Sequence, residues 1–415
     1  MSERELLSES GGGLTPATLS GDNVPRDPAT GLPAGRAQAV VLLLSSCLAV
    51  LGAVLLAPVL PAIQHAFAGT PGVEVLAPVV LTAPALMIGL TAPVAGRVVD
   101  RVGRRGLLVW ALLAYAVVGT APLWLTSLPL VVVSRVLVGL TEAAIMTCCT
   151  TLLADYFHGR ERVRYFSLQT VFTTVAATIF FALGGVLGAG GWRTPFWLYA
   201  VSLPLAAMAH RYIWQPGPAA ETGGRRPLAP LPWGVLLTPV VVSFIGGSVF
   251  YTLIVELSYR LDDVGVSSTA IIGALSASSS VATAIGAALF PRLVVRGPAF
   301  TVPLAFLLTA AGLAAMGLSD ALPLVTAGAV VAGFGNGILL PALLTWALTP
   351  LGFEQRGRGT GVWTSAMFIG QFFCPIFVLG VTGVLGGLGA TLVAVGALSA
   401  VVAVVVRLLR PTASR

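Results

Sequence analysis

Long apolar runs separated by short polar stretches occupy the chain from residue 37 to residue 408. A helix that crosses a bilayer needs about 20 apolar residues, because its backbone groups must bond to one another in lipid. The pattern predicts an all-α membrane protein with twelve transmembrane helices, numbered here as spans 1 to 12. Their predicted limits are 37–62, 76–97, 106–127, 129–153, 165–189, 194–213, 233–257, 268–290, 299–318, 321–347, 358–383 and 385–408.

An alternative count of eleven spans follows if two neighbouring runs are merged. Spans 3 and 4 are separated only by residues 126–129, and spans 11 and 12 only by a turn near Gly386 and Gly387. An odd count would place the two termini on opposite sides of the membrane, so the choice affects the orientation.

Composition agrees with the apolar pattern. Charged residues make up 9% of the chain, whereas soluble domains contain about 25%. Hydrophobic residues make up 56%, and the mean hydropathy is +0.94. These values exclude an ordinary soluble enzyme. The four cysteines all lie in apolar runs without ligand spacing, so no metal site or disulfide framework is expected.

The arginines report the orientation. With twelve spans, twenty of the 23 arginines fall in the tails and connections on the same side as the termini, and no lysine is present. The opposite side has only Arg193 and Arg260. Because basic residues collect on the cytoplasmic side, we expect both termini in the cytoplasm and the protein in the inner (plasma) membrane of the cell.

The chain divides into two halves of similar length. Three pairs support an internal duplication because each is separated by 194 positions: Gly139 and Gly333, Arg162 and Arg356, and Arg164 and Arg358. Two six-helix halves with a site between them are typical of transporters. The predicted organisation is a disordered cytoplasmic tail 1–36, a half 37–214, a cytoplasmic linker 215–232, a half 233–408 and a tail 409–415.

The connection after span 2 contains a specific motif. A glycine is followed after three residues by an aspartate and a basic residue, and then, after one more residue, by a glycine and two basic residues. These positions are Gly96, Asp100, Arg101, Gly103, Arg104 and Arg105. The motif resembles the signature loop of the major facilitator superfamily. Within that family the chain is most similar to bacterial sugar-efflux and drug-efflux members, and the resemblance covers residues 37 to 408.

The resemblance implies the fold of that family, two pseudo-symmetric six-helix halves, and a conformational latch in this loop. In the family the aspartate, here Asp100, holds the loop to the start of span 11, which we expect near Gly359 and Thr360. The residues themselves suggest that Gly96 permits close approach of helices and that Gly103 permits a turn with positive φ.

Span 4 contains two ionisable residues, Arg135 and Glu142, within an apolar run. Charges inside the bilayer are costly and indicate function. Seven residues is almost two helical turns, so both side chains project from one face, about 10 Å apart along the axis. Burial favours a neutral Glu142, as a proton carrier requires, whereas Arg135 favours its charged form. The alternative is a structural ion pair.

The resemblance adds that the span-4 arginine is associated with proton coupling in exporters. The duplication pairs Glu142 with Asn336 in span 10, so we expect the two to face each other across a cavity. Further polar candidates for substrate binding, each equally interpretable as an interhelical bond or an anchor, are Gln169, Gln371, Tyr251, Trp363 and Glu256, the last at the outer mouth.

We therefore expect a secondary transporter that works by alternating access and exports a small organic or amphipathic molecule coupled to protons. Two departures from the family weaken antiport: the Gly-Pro pair is missing from residues 184–193, and span 1 has no acidic residue. Alternatives are uptake or facilitated diffusion of a small organic anion or sugar, and a non-transporting sensor or scaffold.

Other partners are not expected. The sequence has no nucleotide-binding loop, so ATP is not expected as a partner. No cofactor and no nucleic acid are expected, and a single chain in the lipid bilayer is the expected working unit. A membrane-embedded enzyme is disfavoured because the histidines, His65, His158 and His210, are isolated from one another.

Overall fold

The structure is a computed structural model that describes residues 26–27, 31–216 and 230–409, without the side chains of Asp100 and Phe353. The expected tails and linker lie mostly outside these residues. The spans run as follows: span 1 Arg36–Ala66, span 2 Val73–Val102, span 3 Arg104–Thr120, span 4 Leu128–Tyr156, span 5 Gly159–Gly188, span 6 Thr194–Val201 with Ser202–Tyr212, span 7 Trp233–Asp263, span 8 Thr269–Leu293, span 9 Pro298–Leu318, span 10 Leu322–Leu348, span 11 Phe353–Leu385 and span 12 Leu388–Leu409.

Eleven of these helices are each long and apolar enough to cross a membrane. Span 6 is the twelfth, and it is interrupted because its first part, Thr194–Val201, is a 3₁₀-helix. The twelve predicted runs therefore all form helices, and breaks at residues 124–127 and 386–387 separate the neighbouring spans. In the described part of the chain, the only β-type pairing is one isolated bridge between Arg26 and Pro33.

Span 1 is broken within its length. The α-helix Leu48–Val54 is followed by a 3₁₀-turn, Ala57–Val59, before the helix resumes at Leu60. Pro58 and Pro61 lie at these junctions, where they cannot donate backbone hydrogen bonds. The last carbonyl groups of Leu48–Val54 therefore lack helical donors and must bond elsewhere.

Span 11 begins earlier than the sequence indicated. Its helix starts at Phe353, so Gly359 and Thr360 lie in its second turn and not at its start. The run 353–358 is polar, and hydropathy alone did not include it in the span. The helix extends beyond the apolar stretch because this segment contains no proline, and a single glycine, Gly357, is tolerated within a helix.

Helices pack closely where glycine removes the side chain. An added Cβ at Gly139 in span 4 would lie 2.5 Å from the Cα of Pro84 in span 2, and at Gly333 in span 10 it would contact the backbone of Ser279 in span 8. The two sites are equivalent under the 194-residue offset. The same helix pairs therefore meet at a glycine in both halves.

The two halves touch through paired spans. Spans 5 and 8 are close enough that a Cβ on Gly273 would lie 2.7 Å from the Cα of Gly185. Spans 2 and 11 are joined by Ser365, whose Oγ donates to the carbonyl of Gly89 at 2.7 Å. Because successive spans alternate in direction, the start of span 1 and the end of span 12 lie at one end of the bundle, the proximal end, and the opposite end is the distal end.

Candidate functional site

A cavity of about 280 Å³ lies between the two halves. Its wall combines residues from spans 1, 2, 4 and 5 of the first half with residues from spans 7, 8, 10 and 11 of the second. The wall is mostly apolar. Its polar members are Tyr251, Ser276, Ser279, Ser280, Thr283, Asn336 and Gln371. This central cavity suits a small molecule with a large apolar part and few polar groups.

Arg135 of span 4 is completely buried and holds two backbone carbonyl groups together. Its Nε donates to the carbonyl of Val80 and its Nη2 to that of Gly52, each at 3.1 Å. The helical donor for Val80 would be residue 84, a proline without an N–H. Arg135 therefore satisfies carbonyl groups that spans 1 and 2 leave open.

The aromatic ring of Tyr199, from span 6, packs against the guanidinium group of Arg135. Its ring centroid lies 5.1 Å from the Arg135 Cζ, a distance at which a cation and an aromatic face attract. The Nη1 atom of Arg135 and the hydroxyl of Tyr199 are both buried without a hydrogen-bond partner among the described residues.

Glu142 is 1% exposed and lies beside Tyr115 of span 3. The Tyr115 hydroxyl is 2.8 Å from the carbonyl of Leu48 and 3.3 Å from Oε1 of Glu142. A phenol has one proton to donate and can also accept a hydrogen bond. It can donate to a charged Glu142, or donate to Leu48 while it accepts from a protonated Glu142. Tyr115 thus suits both protonation states of the carboxyl group.

Arg135 and Glu142 meet at Gly52, not at each other. Their charged atoms form no ion pair within 4 Å, although both residues are fully described. A Cβ on Gly52 would overlap the carboxyl group of Glu142, coming within 2.8 Å of its Cδ. The alternative interpretation, a direct structural ion pair, is therefore not what the structure contains.

Asn336 occupies the equivalent place in the second half. Its Nδ2 donates to the carbonyl of Phe250 at 3.0 Å, and the Thr309 hydroxyl donates to its Oδ1 at 3.3 Å. Tyr115 and Thr309 are also 194 positions apart. In each half, a hydroxyl group from the third helix contacts the polar side chain of the fourth, which supports the duplication inferred from the sequence.

Glu142 and Asn336 do not face each other across the cavity, which corrects our expectation. Asn336 lies in the cavity wall, whereas Glu142 lies behind span 1 and is not part of that wall as the described residues form it. On span 1, Ala49 and Ala53 face the cavity while Gly52 faces Glu142. Span 1 thus separates the carboxyl group from the cavity.

The other polar candidates divide between wall and packing positions. Gln371 lines the cavity, and the Tyr251 hydroxyl reaches across the two halves to donate to the carbonyl of Ala53 at 2.8 Å. Gln169 lies outside the cavity wall and donates to Ser46 Oγ at 2.8 Å.

Two further candidates lie elsewhere. Trp363 is also outside the wall, and its buried indole N–H has no partner among the described residues. Glu256 lies in a different cavity, near the distal end.

The loop after span 2 is partly described. Gly103 has a φ of 92°, as the sequence suggested. Arg104 forms an ion pair with Asp155 of span 4, and Arg105 donates to the carbonyl of His210 at 2.8 Å.

A Cβ on Gly96 would meet nothing within 4 Å, so the expected close approach of helices at Gly96 is wrong for this conformation. Arg101 is exposed. The Asp100 side chain lies outside the described part of the structure.

A family model of the Major Facilitator Superfamily matches residues 42–267 and 240–415 of the chain. The chain belongs to the major facilitator superfamily. It is therefore a multi-pass membrane protein of a superfamily whose members transport small molecules and are not enzymes. The family and the all-α fold expected from the sequence are confirmed.

Sequence relatives within the superfamily include drug-resistance proteins. The class C tetracycline resistance protein of Escherichia coli is 31% identical over 194 residues, which cover 46% of this chain and 47% of that protein. Multidrug resistance protein 2 of Bacillus subtilis (strain 168) is 29% identical over 177 residues, 42% of this chain and 43% of that protein. The chain thus matches less than half the length of these relatives.

Solved structures of the superfamily share the fold. A bacterial homologue of the human lysosomal transporter Spinster, in an inward-facing and occupied conformation, has a TM-score of 0.72 at 17% identity, covering 90% of this chain and 96% of that one. A D-xylose–proton symporter has a TM-score of 0.70 at 15% identity, covering 89% and 96%. At such identities the likeness shows the fold alone.

The sequence reasoning missed three residues of the span-4 site, namely Gly52, Tyr115 and Tyr199. Tyr115 carried a usable signal, because its offset of 194 from Thr309 equals that of Glu142 from Asn336. Gly52 carried the same signal, because Gly246 lies 194 positions after it. Tyr199 carried none, since its contact with span 4 depends on how span 6 packs against it in this superfamily fold.

Proposed function

We propose that this transporter exports a small organic or amphipathic molecule in exchange for protons, with Glu142 as the proton carrier. The observation that carries the proposal is the hydroxyl group of Tyr115, which can bond to Glu142 in either protonation state. A buried carboxyl group with such a partner can gain and lose a proton with less disruption of its surroundings.

Substrate binds in the central cavity, and the two halves rock about it to expose it to each side in turn. Asn336, Gln371 and Tyr251 supply hydrogen bonds there, and the apolar remainder of the wall favours an amphipathic molecule. Export is supported by the names of two relatives, a tetracycline and a multidrug resistance protein.

Arg135 favours the charged form of Glu142. It supplies the positive charge nearest to Glu142 on the same helix, and its two backbone bonds fix it against spans 1 and 2. When the halves rock, a shift of span 1 at Gly52 would reach both residues. Through their shared contact with Gly52, substrate binding would be coupled to proton release from Glu142.

The proposed topology follows from the arginine distribution. Both termini lie in the cytoplasm, so the proximal end of the bundle is the cytoplasmic end, and the protein lies in the plasma membrane as a single chain. The halves are residues 37–214 and 233–408, joined by a cytoplasmic linker. Exposed Arg160 and Arg164 at the proximal end agree with this orientation.

Asp100 is proposed to act as the latch that sets the balance between the inward-open and outward-open states, together with the arginines of its loop. We expect Asp100→Asn to weaken transport severalfold while the protein still inserts and folds, because the change removes a charge and leaves the shape. Transport in proteoliposomes, normalised to inserted protein, checks this. Turnover equal to wild type would contradict the latch.

The function is tested with purified protein in proteoliposomes that contain a pH-sensitive dye, over a panel of sugars, amphipathic drugs and organic anions. We expect at least one amphipathic compound to trigger proton movement that protein-free liposomes lack and that a protonophore abolishes. Substrate movement without proton movement would replace export by antiport with the facilitated-diffusion alternative. No movement of any compound would favour the sensor or scaffold.

A further inference from the structure

A second cavity, of about 350 Å³, opens near the distal end of the bundle. Its wall comes from the end of span 1 and the start of span 2 in the first half, and from the ends of spans 7 and 11 and the start of span 12 in the second. We call it the distal vestibule. Its polar wall residues are Gln64, Glu74, Glu256, Tyr259, Asp263 and Thr382. None of them lines the central cavity.

The vestibule is acidic from rim to floor. Glu74 and Asp263 are exposed at its rim, whereas Glu256 is only 5% exposed and lies deeper along span 7. The described wall contains three carboxylates and no basic side chain. Acidic walls around a low-dielectric recess concentrate cations.

Neighbouring cationic groups are occupied elsewhere. The Arg260 guanidinium donates to the carbonyl of Met316 at 2.9 Å and pairs with Asp320 at 2.5 Å. His65 lies 3.9 Å from Asp262, which is not part of the wall. The positive charge that would match Glu256 is therefore not supplied by the residues around it.

Glu256 is the decisive residue. Among the described residues it forms no hydrogen bond and no ion pair, although it is nearly buried and faces the vestibule. The hydroxyl of Tyr259, one turn along the same helix, is also buried without a partner. A buried, unpaired carboxylate is costly, so a site that keeps one open is suited to a ligand that pairs with it.

A bare metal ion does not fit this arrangement. The described residues contain no cluster of three or more acidic, histidine or cysteine side chains close enough to hold a metal. The cavity is also far larger than a single ion, and five of its twelve wall residues are proline or aliphatic. Those residues are Pro78, Pro375, Val378, Leu379 and Leu388.

We propose that the distal vestibule binds an organic cation that carries an apolar group. The charged nitrogen lies against Glu256, where the ring of Tyr259 adds a cation–π attraction. The apolar group packs against the proline and aliphatic residues, and the acidic rim attracts the ligand. This ligand site is additional to the central cavity and does not depend on proton coupling.

The position of the site gives binding a conformational consequence. Glu74 belongs to the first half and Glu256 to the second, so an occupant contacts both halves at once. A ligand favours the conformation for which it has the higher affinity. The cation therefore stabilises the arrangement of the distal helix ends seen here.

The test uses benzyltrimethylammonium, with benzylsulfonate as an anionic probe of similar shape. Binding of each to the full chain in lipid nanodiscs is measured by isothermal titration calorimetry. We expect the cation to bind and the anion not to. Glu256→Gln should raise the Kd of the cation roughly tenfold or more, since it removes a buried charge partner, and Glu74→Gln at the exposed rim about two- to fivefold.

Controls separate this site from folding and from transport. Glu161→Gln makes the same chemical change on an exposed residue at the proximal end and should leave the Kd unchanged. Tyr259→Leu removes the ring and should raise the Kd about threefold or more, which provides a second test should Glu256→Gln not fold. Glu142→Gln should bind the cation like wild type, whatever it does to proton coupling.

Three results would overturn the proposal. These are no binding of benzyltrimethylammonium to wild type, equal binding of benzylsulfonate, and a Kd that stays the same in both Glu256→Gln and Tyr259→Leu. A failure of proton-coupled export would appear only in the liposome assays and would leave this binding measurement unaffected.

Discussion

A Gly139→Val variant is expected to lose transport and to unfold more easily than the wild type. The added Cβ would lie 2.5 Å from the Cα of Pro84 and 2.6 Å from its carbonyl oxygen. Backbone atoms of a packed helix cannot move aside as a flexible side chain can, so spans 2 and 4 must separate. Overpacking of this kind costs about 1–3 kcal/mol, and separation would also displace Arg135 and Glu142.

The measurement pairs thermal unfolding in detergent with transport in liposomes. Gly380→Val is the matched control, because a Cβ at Gly380 in span 11 meets nothing within 4 Å and the residue is exposed on the surface of the bundle. We expect the control to melt and transport like wild type. If Gly139→Val also melted and transported like wild type, the close packing of spans 2 and 4 at Gly139 would be contradicted.

Arg135→Met is expected to affect transport more than stability. Coupled transport is abolished, whereas the free energy of unfolding is only partly reduced. Methionine fills much of the space but leaves the carbonyl groups of Val80 and Gly52 without a donor, each at a cost of about 1–3 kcal/mol. Removing a buried cation offsets part of that cost. Transport suffers more, because no positive charge remains on span 4 to stabilise a charged Glu142.

Two further variants sharpen this prediction. Arg135→Lys keeps the charge but lacks the planar fork that reaches two carbonyl groups, so we expect partial transport. Arg160→Met removes an exposed arginine at the proximal end and should change neither property. Proton-coupled transport at the wild-type rate in Arg135→Met would show that Arg135 only fills space.

The sequence predicted the helices well because the membrane imposes a length on each apolar run. Spans 3 and 4, or 11 and 12, stayed distinct because even a short turn interrupts a run near 20 residues. The start of span 11 was placed too late, since its first turn is polar and hydropathy carries no information there. The duplication could be predicted because Gly139 and Gly333 are separated by the same 194 positions as the two arginine pairs.

The direction in which Glu142 points was not predictable. Seven residues between Arg135 and Glu142 place both on one face of span 4, but the helix is apolar all round, so periodicity does not say which neighbour that face meets. In the structure, this face of span 4 contacts Gly52, Tyr115 and Tyr199. These contacts join spans that are distant in sequence.

The central claim is that Glu142 carries the proton, and Glu142→Gln tests it most directly in two assays on the same proteoliposomes. Exchange of labelled for unlabelled substrate requires the halves to rock but needs no proton. Accumulation driven by a pH gradient requires coupling. Glutamine keeps the shape of the glutamate side chain and a hydrogen bond to Tyr115, but it cannot lose a proton over the pH range of the assay.

We expect Glu142→Gln to retain substrate exchange and to lose accumulation driven by the pH gradient, while Glu161→Gln retains both. Retention of gradient-driven accumulation at the wild-type level in Glu142→Gln would contradict the claim and leave Glu142 a packing residue.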